Sequence, residues 1–477
     1  MVRRRSTVLA QLALLAAAAA CGGPASQQDA GGAATWRSIE GGWLLDVEGG
    51  ERVANPGVLI SPDGRIARVG SQGAQAPGGV EPEVIELGES QTLLPGLIDL
   101  HAHYNMDLTG DGRVEETRYN PLIFLANGVT TTFPAGEYYP EVMRALAGRL
   151  ESGEQVGPRL LRSGQYFGST RLDWDPDITR QQIHAEVDAL WAEGVRHFKA
   201  KGAGPEHIRA LVERAHHHGG TVTGHVDSGA RGSTNSVDAI EAGIDRIEHI
   251  LGGYVLDREQ AAYPVWNEVD TASADFRRTV QLFLDNEVYY DATITAPIYL
   301  TERVEGFDFW EDEPSFFTPY VQERVKARER RSSELMSNLH EAMKRGTLAF
   351  YNAGGRPHIT LGTDNPSAGE YLAGFSAHRE LHALVLAGLP PIDAIRAGTT
   401  NAARAVKMED EIGSIEPGKW ADLFVVDGDP LADIKNTRNV SLVLRAGTPH
   451  DPEALLDQAR GRIGPTGEED RADWWRP

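Results

Sequence analysis

The sequence predicts an α/β protein: a (β/α)8 TIM barrel carrying a small β-sandwich domain built from both chain ends. Three observations point there. The chain has 477 residues, too long for one ordinary domain and suited to a barrel with an appendage. Its middle, 96–408, alternates apolar strand patterns with helical stretches. Two turn-rich β blocks, 36–95 and 409–450, flank that middle.

Each element has its own signal. Expected barrel strands are 97–103, 129–134, 159–165, 195–201, 221–226, 246–250, 287–294 and 358–364. Strands covered on both faces read as continuous apolar runs, as "LPGLIDLH" and "HITLGTD" do. Helical patterns fall between them, for example Glu141 to Leu150 and Ile208 to His217. In the first β block, "GVLISPDGRIARVG" (57–70) is two strands joined at a Pro-Asp-Gly turn. The second block holds "EIGSIEPGKWADLFVVDGDP" (411–430) and "VSLVLRAG" (440–447). Residues 451–477 read as a C-terminal tail.

Composition excludes some classes of function. Hydrophobic residues are 41% and charged residues 24%, so a sizeable core is expected. Acidic residues outnumber basic ones 69 to 46, a formal charge of -23. Phosphate binding needs the opposite balance, so nucleic acid is not an expected partner.

The N-terminus reads as targeting sequence. Arg3 to Arg5 precede an apolar run, Val8 to Ala20, and small residues lead to Cys21, the one cysteine. Residues 1–21 resemble a bacterial lipoprotein signal, which implies export, a lipid on Cys21 and tethering to a membrane at the periplasmic or cell-surface side. Ala18 stands where that pattern more often has leucine, which leaves a plain cleaved secretory signal open. Residues 22–35 read as a flexible tether.

A barrel of this type carries its chemistry at the C-terminal strand ends. His101 and His103 end the first strand, and period two puts both on one face. The fourth strand offers Lys199 and Lys201, the fifth ends in His225, the sixth in His249 and the eighth in Asp364. A single strand-end histidine is weak evidence. Imidazoles and a carboxylate converging from several strands are the donors that a divalent cation such as zinc accepts.

These residues, with "PGLIDLHAH", "GTD" (362–364) and "IGSIEPGKWADLFVVDGDPL" (412–431), resemble the amidohydrolase superfamily. The segment "HRELHALVLAGLPPIDAIRAGTTNAA" (378–403) is similar to its imidazolonepropionase and Xaa-Pro dipeptidase branch. The resemblance implies two divalent metal ions, of the zinc type. His101, His103 and Asp364 would hold one and His225 and His249 the other. Lys199, carbamylated by carbon dioxide, would bridge them. It favours Lys199 over Lys201 because the family lysine follows an apolar residue within the strand. An ammonium beside two dications would be repelled, whereas a carbamate is anionic and bidentate. The implied reaction is cleavage of an amide or peptide C–N bond of a small molecule by a metal-bound hydroxide. Asp364 would take the proton and return it to the leaving nitrogen.

Within that reading an Xaa-Pro dipeptidase-like activity leads, because the branch with a bridging lysine is the dipeptidase one. A cyclic-amide hydrolase of the imidazolonepropionase kind and a lactone or phosphotriester hydrolase stay open. So does a non-catalytic metal- or ligand-binding surface lipoprotein, and the oligomeric state, including a homo-oligomer. Tyr104, Gln165, Tyr166 and Tyr254 follow strand ends and are substrate-contact candidates on position alone. His216 to His218, before Gly219, read as a helix C-terminus. His378 and His382 read as an exposed helix face. The aromatic stretch 301–331 reads either as a lid or as an ordinary loop and amphipathic helix.

Overall fold

The computed structural model describes residues 35–73, 75–226, 234–256, 262–298, 313–327, 333–366 and 372–476. The expected leader and Cys21 lie outside them, as do Phe307, Phe309 and Trp310 of the aromatic stretch. Among the described residues no helix is long and apolar enough to cross a membrane.

The architecture is α/β. Eight parallel strands run through the middle of the chain: Leu97–Ala102, Val129–Pro134, Arg159–Leu160, His197–Lys201, Thr221–His225, Arg246–Glu248, Tyr289–Asp291 and Ile359–Thr360. Every one falls inside an expected run. The first three form one sheet and the last five another, in sequential order. Backbone hydrogen bonds join the sheets along both margins. Phe167 donates to Lys199 O at 2.9 Å, Leu100 to Leu361 O at 2.9 Å and Asp364 to His101 O at 2.9 Å. Strands such as Leu97–Ala102 are buried at every position, which explains their unbroken apolar character.

Helices pack outside the strands, and their ends are chemically marked. Thr179 and Gln182 form a capping box at the start of Arg180–Ala192. Pro205–His218 stops at Gly219, whose φ of 88° suits glycine. Its terminal histidines do serve local contacts: His216 pairs with Asp245 at 2.9 Å and His218 with Asp188 at 2.6 Å. His378 corrects the exposed-face reading. It is buried, with Nδ1 3.1 Å from Thr437 Oγ1 and Nε2 3.0 Å from Asn127 O, because most of Phe375–Ala387 is enclosed by neighbouring elements.

The two β blocks do join across the chain. Their strands hydrogen-bond into one eight-stranded sheet, where two facing sheets were expected. Two long strands, Arg37–Asp46 and Glu83–Pro95, make this continuity, paired in parallel with a register shift at Gly41 to Trp43. Gly41 and Gly42 both have positive φ there, and a Cβ on Gly41 would lie 2.7 Å from Leu87 O. Ile39, Val58, Leu93, Leu423, Val425 and Leu444 from both blocks share one buried cluster.

The segment after His450 is not a loose tail. Helix Pro452–Ala459 leads to Ile463, Trp474 and Trp475, which are buried against Phe316, Phe317, Met106 and Leu108. The described part of the aromatic stretch is thereby a packing partner, with Thr318 donating to Ile463 O at 3.0 Å. The Trp475 ring packs at a tilt against Tyr139, centroids 4.6 Å apart, while the Arg471–Asp111 pair at 2.7 Å lies at the surface. We predict that Trp475→Ala costs ~3 kcal/mol of stability and that Arg471→Ala has a much smaller effect, measured by urea unfolding. Equal effects would mean that the segment is held by surface charge.

Candidate metal centre

The strand ends deliver their polar side chains to one place. His101 Nε2 and His103 Nε2 lie 3.3 and 2.8 Å from the same Asp364 oxygen. The ring of His249 is 5.0 Å from that of His101, and the ring of His225 is 4.3 Å from that of His249. Lys199, 1% exposed, is ion-paired with Glu248, whose other oxygen is 3.6 Å from His101 Nδ1. Lys201 sits two residues further along, at the last position of its strand and half-buried. Among the described residues, two groups have donor atoms mutually close enough for one cation: His101, His103 and Asp364, and His101, Glu248 and His249.

Backbone geometry explains how neighbouring residues share one face. His249, Thr293 and Asp364 have φ of 71°, 42° and 55° at the ends of the sixth, seventh and eighth strands. Such left-handed residues outside glycine are uncommon and gather at functional sites. At His249 the strand alternation breaks, so Glu248 and His249 both face His101. Gly362 leaves the space this needs: a Cβ there would lie 2.3 Å from Asp291 Oδ1 and 2.5 Å from the His101 Cβ.

The rings are oriented by partners on their far side. Thr293 Oγ1 is 2.7 Å from His249 Nδ1, which leaves Nε2 buried without a hydrogen bond. Thr293 is steadied in turn by Glu380, whose carboxylate accepts from Ile294 N, Thr295 N and Thr295 Oγ1, each at 2.8 Å. Asn105 Nδ2 donates to His103 Nδ1 at 3.1 Å. Tyr263 OH lies 3.3 Å from His225 Nε2. Asp99 accepts from His101 N at 3.0 Å and from Thr363 Oγ1 at 2.8 Å, clasping the first strand to the eighth. Arg246 crosses beneath, donating to Leu100 O at 2.9 Å.

Ring nitrogens that can bind a cation are therefore in place, that of His101 once it gives up its proton. His101 Nδ1, His225 Nδ1 and His249 Nε2 are buried without a hydrogen-bond partner, a state that costs free energy unless something occupies it. Burial pushes His103 down to about 4 and His249 down to about 3, so both are neutral at pH 7. His101 differs. Burial opposes its charge, but Glu248 and Asp364 raise it to about 9. Burial also lowers Lys199, against Glu248, to about 8. Asp364 is held well below the usual carboxylate range by His101 and His103, although burial acts the other way. The donor set and its orphaned atoms fit divalent cations.

The substrate-contact candidates separate. Tyr166 is buried, its ring 5.4 Å from Tyr138, and its hydroxyl has no hydrogen-bond partner. Tyr104 is 0% exposed and its hydroxyl is 2.9 Å from Thr132 Oγ1, so it packs in the core. Gln165 donates to Glu186 at 3.2 Å. Tyr254 lies under the Arg278 guanidinium at 3.7 Å and lines a cavity of about 560 Å³ with Trp266 and Val269, lined by none of the strand-end histidines. The sequence reading missed Asp99, Glu248, Asp291 and Thr293. Asp99 was within reach, since it shares period-two parity with His101 and His103. Glu248 was hidden by the left-handed turn at His249.

Comparison with known proteins agrees with this geometry. Residues 92–449 match the amidohydrolase family, and the chain belongs to it. Divalent metal ions are typical of that family. A crystal structure of an Xaa-Pro dipeptidase with bound methionine in the active site superposes with a TM-score of 0.65 at 23% identity, covering 87% of this chain and all of that one. A 5-methylthioadenosine/S-adenosylhomocysteine deaminase of Symbiobacterium thermophilum is 32% identical over 135 residues, 27% of this chain and 30% of that protein. The imidazolonepropionase of Picrophilus torridus is 54% identical over 37 residues, 8% of this chain and 9% of that enzyme. The chain thus spans under a third of the length of these curated relatives.

Metal loading should depend on pH with a defined sign. His101, raised to about 9, carries a proton at neutral pH that a bound cation must displace. Apparent zinc affinity should rise from pH 6 toward pH 9 and level off above, with proton release visible as buffer-dependent heat in calorimetry. An affinity independent of pH across that range would contradict the assignment.

Proposed function

We propose that this chain is a metal-dependent amidohydrolase that cleaves the C–N bond of a small amide or dipeptide, with Xaa-Pro dipeptide-like substrates favoured. We read the eight strands as a closed (β/α)8 barrel, supported by the hydrogen bonds along both sheet margins. The observation that carries the reading is the convergence of four imidazoles, Asp364 and a fully buried lysine at one end of the strands. His101, His103 and Asp364 would hold one divalent cation, and His225 and His249 a second. Lys199, carbamylated by carbon dioxide, would supply a further anionic ligand. Its lowered pKa gives a neutral amine fraction, which is the form whose nitrogen attacks carbon dioxide and then loses a proton to leave the carbamate. Glu248 must release the lysine for this to happen, and its nearness to His101 Nδ1 gives it another partner at 3.6 Å.

Bound zinc-type ions would supply Lewis acidity and a hydroxide nucleophile near neutral pH. The chain supplies the rest. Asp364 is ionised at neutral pH, so it can accept a proton and pass it to the leaving nitrogen, which an amide requires. The match to deaminases is consistent with the same C–N chemistry on another leaving group. The N-terminal leader supports export and a lipid on Cys21; mass spectrometry of the mature N-terminus tests that.

Two variants test the roles. Lys199→Ala should lose about half the bound zinc by elemental analysis and drop turnover at least ~100-fold, with partial rescue by a short carboxylate. Asp364→Asn should lower kcat by about 10²–10⁴. The substrate class is tested with Xaa-Pro dipeptides, N-acyl amino acids, cyclic amides, lactones and phosphotriesters on the zinc-loaded protein. Turnover of esters alone would overturn the C–N assignment.

A further inference from the structure

Arg113 stands out as an uncommitted cation beside this centre. It lies in the loop after His103, one residue before the short strand Val114–Glu115, which pairs with Asn105–Met106. It is half-buried, and among the described residues it makes no hydrogen bond or ion pair. The acids nearest in sequence are committed elsewhere. Asp111 pairs with Arg471 at 2.7 Å, and Asp107 accepts from Gly110 N at 2.7 Å. Glu115 accepts from Tyr138 N at 2.8 Å, and Glu116 caps the backbone of Tyr119 and Asn120. In a chain of formal charge -23, a half-buried guanidinium left without a carboxylate calls for an external anion.

Its surroundings lead to the reacting centre. The guanidinium is 6.0 Å from the Tyr138 ring, and that ring packs edge-on to Tyr166 at 5.4 Å. Gly136 lies against Tyr166 so closely that a Cβ would meet the ring at 2.1 Å, which fixes the shelf in place. The charge of Arg113 is felt at both His103 and Tyr166, and Tyr166 also feels Asp364. The Tyr166 hydroxyl is a second donor without a partner.

We propose that Arg113, with the Tyr166 hydroxyl, receives the free carboxylate of the substrate, and that the Tyr138–Tyr166 shelf covers its apolar part. This rests on the hydrolase reading above and deepens it. A planar guanidinium with a phenol matches a carboxylate through charge-assisted hydrogen bonds. The preferred substrates are then amides bearing an acid group on the leaving side, with neutral amides disfavoured.

The test compares Ala-Pro with its C-terminal amide on the zinc-loaded full chain, in wild type, Arg113→Gln and Arg113→Lys. The expected result is that wild type prefers the acid, and that Arg113→Gln cuts the ratio of kcat/KM for acid over amide at least tenfold, mostly through KM. Arg113→Lys, which keeps the charge, restores part of the ratio. An unchanged ratio in Arg113→Gln overturns the proposal while the hydrolase reading stands. If neither peptide is cleaved, the dipeptidase reading fails instead. Calorimetry with cyclopentanecarboxylate and cyclopentanecarboxamide then decides the role of Arg113. A tenfold loss of acid affinity in Arg113→Gln, relative to the amide, supports the anchor, and equal affinity overturns it.

Discussion

A charge enclosed by protein must be paired, and much of the interior of this strand array obeys that constraint. Lys199 meets Glu248, Arg246 reaches Leu100 O, and Asp99 takes the His101 and Thr363 donors. Leaving any of these groups unpaired would cost several kcal/mol, on the order of a large fraction of a domain's stability. The layer therefore holds the first, fourth, sixth and eighth strands in fixed register below the site. What it leaves over is a set of imidazole nitrogens and the Asp291 carboxylate oxygens, buried without hydrogen bonds. The fold has paired Lys199 and Asp99 and left these atoms without partners.

That economy extends outward by one more shell. Glu380, on a helix late in the chain, fixes the turn that carries Thr293, and Thr293 fixes His249. The left-handed conformations of His249, Thr293 and Asp364 cost on the order of 1–3 kcal/mol each. They persist because partners on both sides over-determine them. Positions of this kind aim side chains that a regular strand would turn away.

Much of this was legible in the sequence, for a physical reason. Strands covered on both faces must be apolar throughout, so polar residues at their ends are conspicuous; His101, His103, His225, His249 and Asp364 were found that way. Pro-Asp-Gly, Pro-Gly and Asp-Gly turn pairs likewise marked the β blocks. What stayed hidden depends on tertiary geometry. Glu248 is turned inward by a backbone dihedral that no local pattern announces. The single sheet of the two β blocks depends on the register shift at Gly41. The burial of Trp474 and Trp475 depends on a partner surface more than a hundred residues away, around Phe316 and Phe317. Tyr104 illustrates the reverse error: its position beside His103 suggested contact with substrate, yet its ring serves the core.

The central claim is that these strand ends bind a pair of cations bridged by a modified lysine. Anomalous diffraction at the zinc edge from crystals of the zinc-loaded protein tests it most directly. The account predicts two peaks, one about 2 Å from His101, His103 and Asp364 and one about 2 Å from His225 and His249. Extra density should extend from Lys199 Nζ between them. No peak near His225 and His249, with Lys199 still bare against Glu248, would contradict it.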